Sequence, residues 1–154
     1  MAGHEAGPVP DYEELFASGK GFTDVREAEQ FVQETHADWL SIAFGNIHGA
    51  ISQARKSEKK VAARLNIDHL KKIRQVTNIP LVLHGGSNIP KEYVQEGIRN
   101  GITKINIAAE LRQTYEATIA TSQSAAQKAV YTHACRILTD TLKINGKASQ
   151  LIND

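Results

Sequence analysis

The chain has 154 residues, 41% of them hydrophobic and 23% charged, with a formal net charge of +1. That composition suits an ordinary globular domain with its own core, and it excludes nucleic-acid or membrane-surface binding through bulk charge. No apolar run approaches the ~18 residues of a membrane span. Residues 1–20 show no basic-then-apolar leader pattern. Cys135 is the single cysteine, so no intrachain disulfide is expected, which fits a reducing, cytoplasmic compartment.

Residues 1–22 collect Gly3, Gly7, Pro8, Pro10, Gly19 and Gly21 with several acids, and read as a mobile loop. Thr23 is expected to cap a helix over 24–35, with Val25, Ala28, Phe31 and Val32 on its inner face. Residues 39–44 read as a strand, with Trp39 in the core, ending in Gly45-Asn46-Ile47-His48-Gly49. The polar, basic stretch 50–64 reads as a solvated loop. Asn66 or Asp68 opens a second helix through Val76, with Ile67, Leu70, Ile73 and Val76 on one face.

Leu81, Val82 and Leu83 follow Pro80 and are apolar at every position, the pattern of a parallel strand buried on both faces. This strand ends in His84-Gly85-Gly86-Ser87, and Pro90 marks the first position of another helix. That helix covers 91–100, with Tyr93, Val94 and Ile98 inward and Gly101 just past its end. Residues 104–107 read as a third strand, leading into a helix that starts near Ala109. Helix is expected to continue with a break near Thr121 and Ser122, a last helix covers 129–143, and the tail after Gly146 frays.

Strand and helix therefore alternate, which implies a parallel sheet with right-handed crossovers. His48 and His84 are 36 positions apart, about one βαβ period, so both stand at strand ends on one edge of the sheet. An imidazole at a strand end suits a metal ion. A glycine turn at a helix start suits a phosphate. His4, His36, His69 and His133 lack ligand spacing and read as surface or structural.

Taken together, Gly45-Asn46-Ile47-His48-Gly49, then Leu81 through Ser87, then Lys104-Ile105-Asn106-Ile107-Ala108 resemble the last three strand-end motifs of the class II, zinc-dependent fructose- and tagatose-bisphosphate aldolases. The resemblance covers nearly the whole chain. It implies an α/β fold: a partial (β/α)₈ TIM barrel, about its last three βα units plus the carboxyl-terminal helices, as one incomplete barrel domain over 1–154. A whole barrel takes about 250 residues.

The resemblance further implies Zn²⁺ held by His48 and His84. Phosphate would be bound by Gly49, Gly85, Ser87, Asn106, Ala108 and Ala109, with an accompanying Na⁺ or K⁺. Asn106 would touch the substrate near its reacting carbons, and Glu5 falls where the family places an acid for proton transfer. The implied reaction is reversible cleavage of a ketose bisphosphate to dihydroxyacetone phosphate and an aldehyde. The implied partners are a sugar phosphate, further copies of the chain in a homo-oligomer, or a complementing half.

Departures are visible too. Ala109 stands where relatives carry a hydroxyl, Ser52 where many carry lysine, and Asn88 where glycine is common. The Asp-His pair and the glutamate of earlier family strands have no counterpart among these residues. The competing reading is a non-catalytic remnant, or half of a split enzyme, that binds phosphate, metal or a partner through open strand edges.

Overall fold

The computed structural model describes residues 12–46, 63–87 and 89–152. They fall into two compact units that meet between Ile107 and Ala108.

The first unit is built on three parallel strands, β1 (Leu40–Ile42), β2 (Leu81–Leu83) and β3 (Ile102–Ile105), in the spatial order β1-β2-β3. Its helices are α1 (Tyr12–Ser18), α2 (Val25–Thr35), α3 (Ile67–Thr77) and α4 (Lys91–Arg99). β2 is buried at all three residues, as its uninterrupted apolar run requires of a central strand. Leu81 and Leu83 join Phe44, Leu70, Ile73 and Val94 as the largest fully buried side chains. Each contributes roughly 1.5–3 kcal/mol by leaving water.

Helix ends explain the element bounds. Asn66 caps α3 by accepting from His69 N–H, and Asn78 closes it in the left-handed region. Gly101 follows α4 with φ +114°, where a Cβ would meet Arg74 Cδ at 2.8 Å. Asp24, not Thr23, caps α2, because its carboxylate accepts from Arg26 and Glu27 N–H. The Thr23 hydroxyl is engaged elsewhere, accepting from Ala43 N–H at 2.8 Å, while Thr23 N–H donates to Ala43 O at 2.8 Å.

Other expectations need correction. Residues 12–18 are helical where a loop was expected. Tyr12, Leu15 and Phe16 form an i, i+3, i+4 stripe that the surrounding glycines obscured. Residues 1–11 of that stretch lie outside the described residues, and 19–22 form a turn. Phe31 and Ile98 are 49% and 37% exposed, so the buried stripes of α2 and α4 are narrower than their apolar patterns. Trp39 is 52% exposed, because β1 begins only at Leu40. β3 begins two residues earlier than expected and ends before Asn106.

The second unit comprises α5 (Ala109–Thr118), α6 (Gln123–Arg136), a π-helical turn (Ile137–Thr141) and α7 (Ser149–Ile152). Ser122 caps α6 by accepting from Ala125 N–H, so the second helix starts earlier than 129, right after the anticipated break. α7 adds a short helix where fraying was expected. His133 links α5 to α6: its Nδ1 is 2.9 Å from Thr114 Oγ1 and its Nε2 3.2 Å from Glu110 Oε2. Its structural reading therefore holds.

Candidate functional site at the carboxyl edge of the sheet

β2 delivers His84 to the carboxyl edge, and the chain then turns on Gly85, whose φ is +70°. An L side chain is disfavoured there, so a glycine answers a backbone need. Gly86 answers a packing need: a Cβ on it would lie 2.5 Å from Ile105 Cγ2 and 3.1 Å from Ile107 Cγ1. The backbones of β2 and β3 thus approach closely beyond the strand ends. Asn106 N–H donates to Leu83 O at 2.9 Å, and Gly86 N–H donates to Asn106 O at 3.1 Å.

A bulge decides which residue faces His84. Leu81 pairs with Ile102, but Val82 pairs with Lys104 and Leu83 with Ile105. Thr103 is the extra residue, and its hydroxyl donates to Leu81 O at 3.3 Å. Continuing the first register without the bulge would set Ile105 against His84. With it, Asn106 arrives there, and its Nδ2 lies 3.3 Å from both ring nitrogens of His84. Equal distances to both nitrogens mean that the amide is not lined up with either one's lone pair alone.

The end of β1 is joined to the same edge. Asn46 Nδ2 donates to His84 O at 2.8 Å, while its Oδ1 accepts from Phe44 N–H at 3.0 Å. Gly45 is buried with φ +113°, and a Cβ there would meet Arg64 O at 2.3 Å. Asn66 N–H donates to Phe44 O at 2.7 Å, so 44–46 and 64–66 lie side by side. Asn46, His84 and Asn106 thus form a chain of polar contacts across all three strand ends.

The residues expected from sequence divide into three groups. His84, Gly85, Ser87 and Asn106 belong to this edge, and His84, Ser87 and Asn106 are half-buried. Glu5, His48 and Gly49 lie outside the described residues, as do Ser52 and Asn88. Ala108 and Ala109 open α5 in the second unit, where Ala108 is the N-cap and supplies no side-chain cap bond. Among the described residues no group of three His, Cys, Asp or Glu side chains is placed to hold a metal ion.

His69 is structural: its Nε2 lies 2.7 Å from Thr23 O and its ring packs 5.2 Å from that of Phe22. Two carboxylates are held below the ordinary range, one capping α2 and one within α4. Backbone N–H groups of Glu27 and Arg26 do this to Asp24, and the Arg99 guanidinium with the Asn100 amide does it to Glu96. The role of Asn46 is not marked in the sequence, because its partners, His84 O and Phe44 N–H, are backbone groups.

Parallel βα units that bring an imidazole and two amides to one carboxyl edge define an α/β architecture of the kind in which sites gather at strand ends. The chain belongs to the class II fructose-bisphosphate aldolase family, whose model matches residues 3–149. Its structure is similar to that of the YdjI aldolase from Escherichia coli K12, at 28% identity and a TM-score of 0.68, over 90% of this chain and 59% of that one. A protein from Coccidioides immitis matches at 26% identity and TM-score 0.67, over 84% and 46% of the two chains. For fructose-bisphosphate aldolase from Campylobacter jejuni the values are 14% and 0.65, over 84% and 48%, a likeness of fold alone. The chain thus spans 46–59% of the length of these three structures. Its three βα units are those of a partial (β/α)₈ barrel. Among the described residues no helix is long and apolar enough to cross a membrane.

Proposed function

We propose that the chain contributes the metal-binding and phosphate-binding edge of a class II aldolase that cleaves a ketose bisphosphate. The observation carrying this reading is the family match over residues 3–149 together with Asn106 lying 3.3 Å from the His84 ring at adjacent strand ends. The described residues offer one ligand imidazole and do not by themselves make a zinc site. The reading therefore pairs His84 with His48 and takes its third ligand from outside the motifs of this chain. When bound, zinc supplies Lewis acidity toward the ketone oxygen.

The chain's own residues do the positioning. The Asn46 amide holds the backbone of His84, so the imidazole starts from a fixed root. Asn106 stands beside that ring with an amide that can turn toward a substrate hydroxyl. The Ser87 hydroxyl and the backbone N–H groups around Gly49 and Gly85 suit one phosphate of the substrate. Anchoring that end would fix the distance of the reacting carbons from the His84 edge. Glu5 is the proposed acid for proton transfer, and a monovalent cation accompanies the phosphate.

The test is a zinc titration against a chromophoric chelator, with cleavage assays on fructose and tagatose 1,6-bisphosphates. The chain alone should bind zinc well below the affinity of a three-ligand site, lose that binding in H48A and H84A, and turn over neither sugar appreciably. Tight stoichiometric zinc with ready cleavage would overturn the two-imidazole reading. No zinc binding at all would remove the metal from it.

A further inference from the structure

α1 does something that neither the strand-end motifs nor the aldolase reading uses. Its first residue, Tyr12, reaches the place where residues 44–46 and 64–66 run side by side. The Tyr12 hydroxyl accepts from Arg64 N–H at 2.6 Å. The same hydroxyl donates toward Gly45 O at 3.2 Å and Arg64 O at 3.3 Å. One phenol thus serves an amide and two carbonyls on segments 33 and 52 residues away. Sheet pairing serves none of these three bonds, because β1 ends at Ile42.

The ring side of α1 reinforces the contact. Phe16 packs against Gly45 so closely that a Cβ there would meet its Cε2 at 2.7 Å. The Arg64 guanidinium stacks 4.6 Å from the Phe16 centroid and pairs with the Glu13 carboxylate. Tyr12, Glu13 and Phe16 therefore occupy about one turn of helix and hold Gly45 and Arg64, which come from two separate segments.

We propose that Tyr12 is a positioning residue: its hydroxyl clamps Gly45 to Arg64 and so holds Asn46 in reach of the His84 carbonyl. The chain of cause runs from the phenol to Gly45 O, through the next peptide to Asn46, and from Asn46 Nδ2 to His84 O. Without the hydroxyl, Arg64 N–H loses its acceptor and Gly45 O its donor, and the two segments are held by the Asn66–Phe44 bond and packing. Only the effect on metal binding rests on the aldolase reading. The clamp itself does not.

The experiment compares the full chain with Y12F, which keeps the ring and deletes one oxygen. Amide exchange by NMR should show Arg64 N–H protected in the unaltered protein. In Y12F it should exchange about tenfold faster or more, with Leu70 and Leu83 unchanged. The Asn46 side-chain amide resonances should shift, and zinc affinity should fall several-fold, as when a group supporting a ligand is lost. R64K keeps the backbone bonds and should leave the Asn46 resonances in place.

Three results would overturn the clamp itself: an unprotected Arg64 amide in the unaltered chain, an unmoved Asn46 amide in Y12F, or an equal loss of protection at Leu70 and Leu83. Loosened Asn46 with unaltered zinc affinity would reduce the clamp to a structural role and overturn positioning. If the unaltered chain takes up no zinc, the metal reading falls, and the amide measurements still decide the clamp.

Discussion

Gly86→Ala tests the close approach of β2 and β3 most directly. The new methyl would stand 2.5 Å from Ile105 Cγ2, 3.1 Å from Ile107 Cγ1 and 3.3 Å from Asn106 O. Gly86 is not among the glycines with positive φ, so the cost is steric rather than conformational. Ile105 is β-branched and stiff at χ1, and Asn106 O is held by the Gly86 N–H, so neither gives way easily. Overpacking a buried site costs about 1–3 kcal/mol. With one contact far inside the van der Waals limit and two tight ones, about 2 kcal/mol is expected. Urea unfolding followed by circular dichroism should show a lower midpoint with an unchanged slope. In the double variant with Ile105→Ala the methyl has room, so the two effects should fall short of their sum by roughly 1 kcal/mol. A Gly86→Ala protein within about 0.5 kcal/mol of the parent, or strict additivity in the double variant, would refute the steric argument.

Three further outcomes follow from the fold. Phe44→Ala empties a fully buried site and should cost about 3–5 kcal/mol in the same urea experiment. Asn66→Ala removes the side-chain acceptor for His69 N–H at the start of α3 and should cost about 1 kcal/mol, whereas Asn66→Asp should cost little. For pH, Asp24 is held below its ordinary value of 3.8 by N–H groups of Glu27 and Arg26. Its charged form therefore stabilises the folded state above that value, and the contribution disappears as pH falls below it through the depressed folded value. Asp24→Asn keeps the cap geometry and loses the charge. The parent should melt above this variant at neutral pH, with the gap closing below about pH 4, a comparison that differential scanning calorimetry can make.

The central strand was legible because Leu81, Val82 and Leu83 leave no polar position, and only a strand with neighbours on both sides buries all three. The α/β class followed from alternation, and the strand-end motifs pointed to the family that the match over residues 3–149 shows. What escaped depends on partners distant in sequence. Thr23 and Asp24 are equally good caps on paper, and the choice falls to Asp24 because Ala43, twenty residues on, engages the Thr23 hydroxyl. The bulge at Thr103 leaves only two adjacent polar residues in Ile-Thr-Lys-Ile, a break in alternation that reads as the strand starting at Lys104, yet it decides that Asn106 rather than Ile105 meets His84. Tyr12 was hidden for the same reason, since all its hydrogen-bond partners are backbone groups and a sequence prints no signal for those.

The Thr23–Ala43 contact also limits how this sheet can grow. Leu40 N–H turns toward β2, donating to Pro80 O at 3.1 Å, so by the alternation of a strand the amide and carbonyl of Ala43 face the opposite margin. Both are already taken by a single threonine that imitates one rung of a ladder. An incoming strand could therefore pair alongside Leu40 and Ser41 but would have to stop, or dislodge Thr23, before drawing level with Ala43. The vulnerable margin of β1 is in this way shortened to a length that offers a chance encounter little to zip onto.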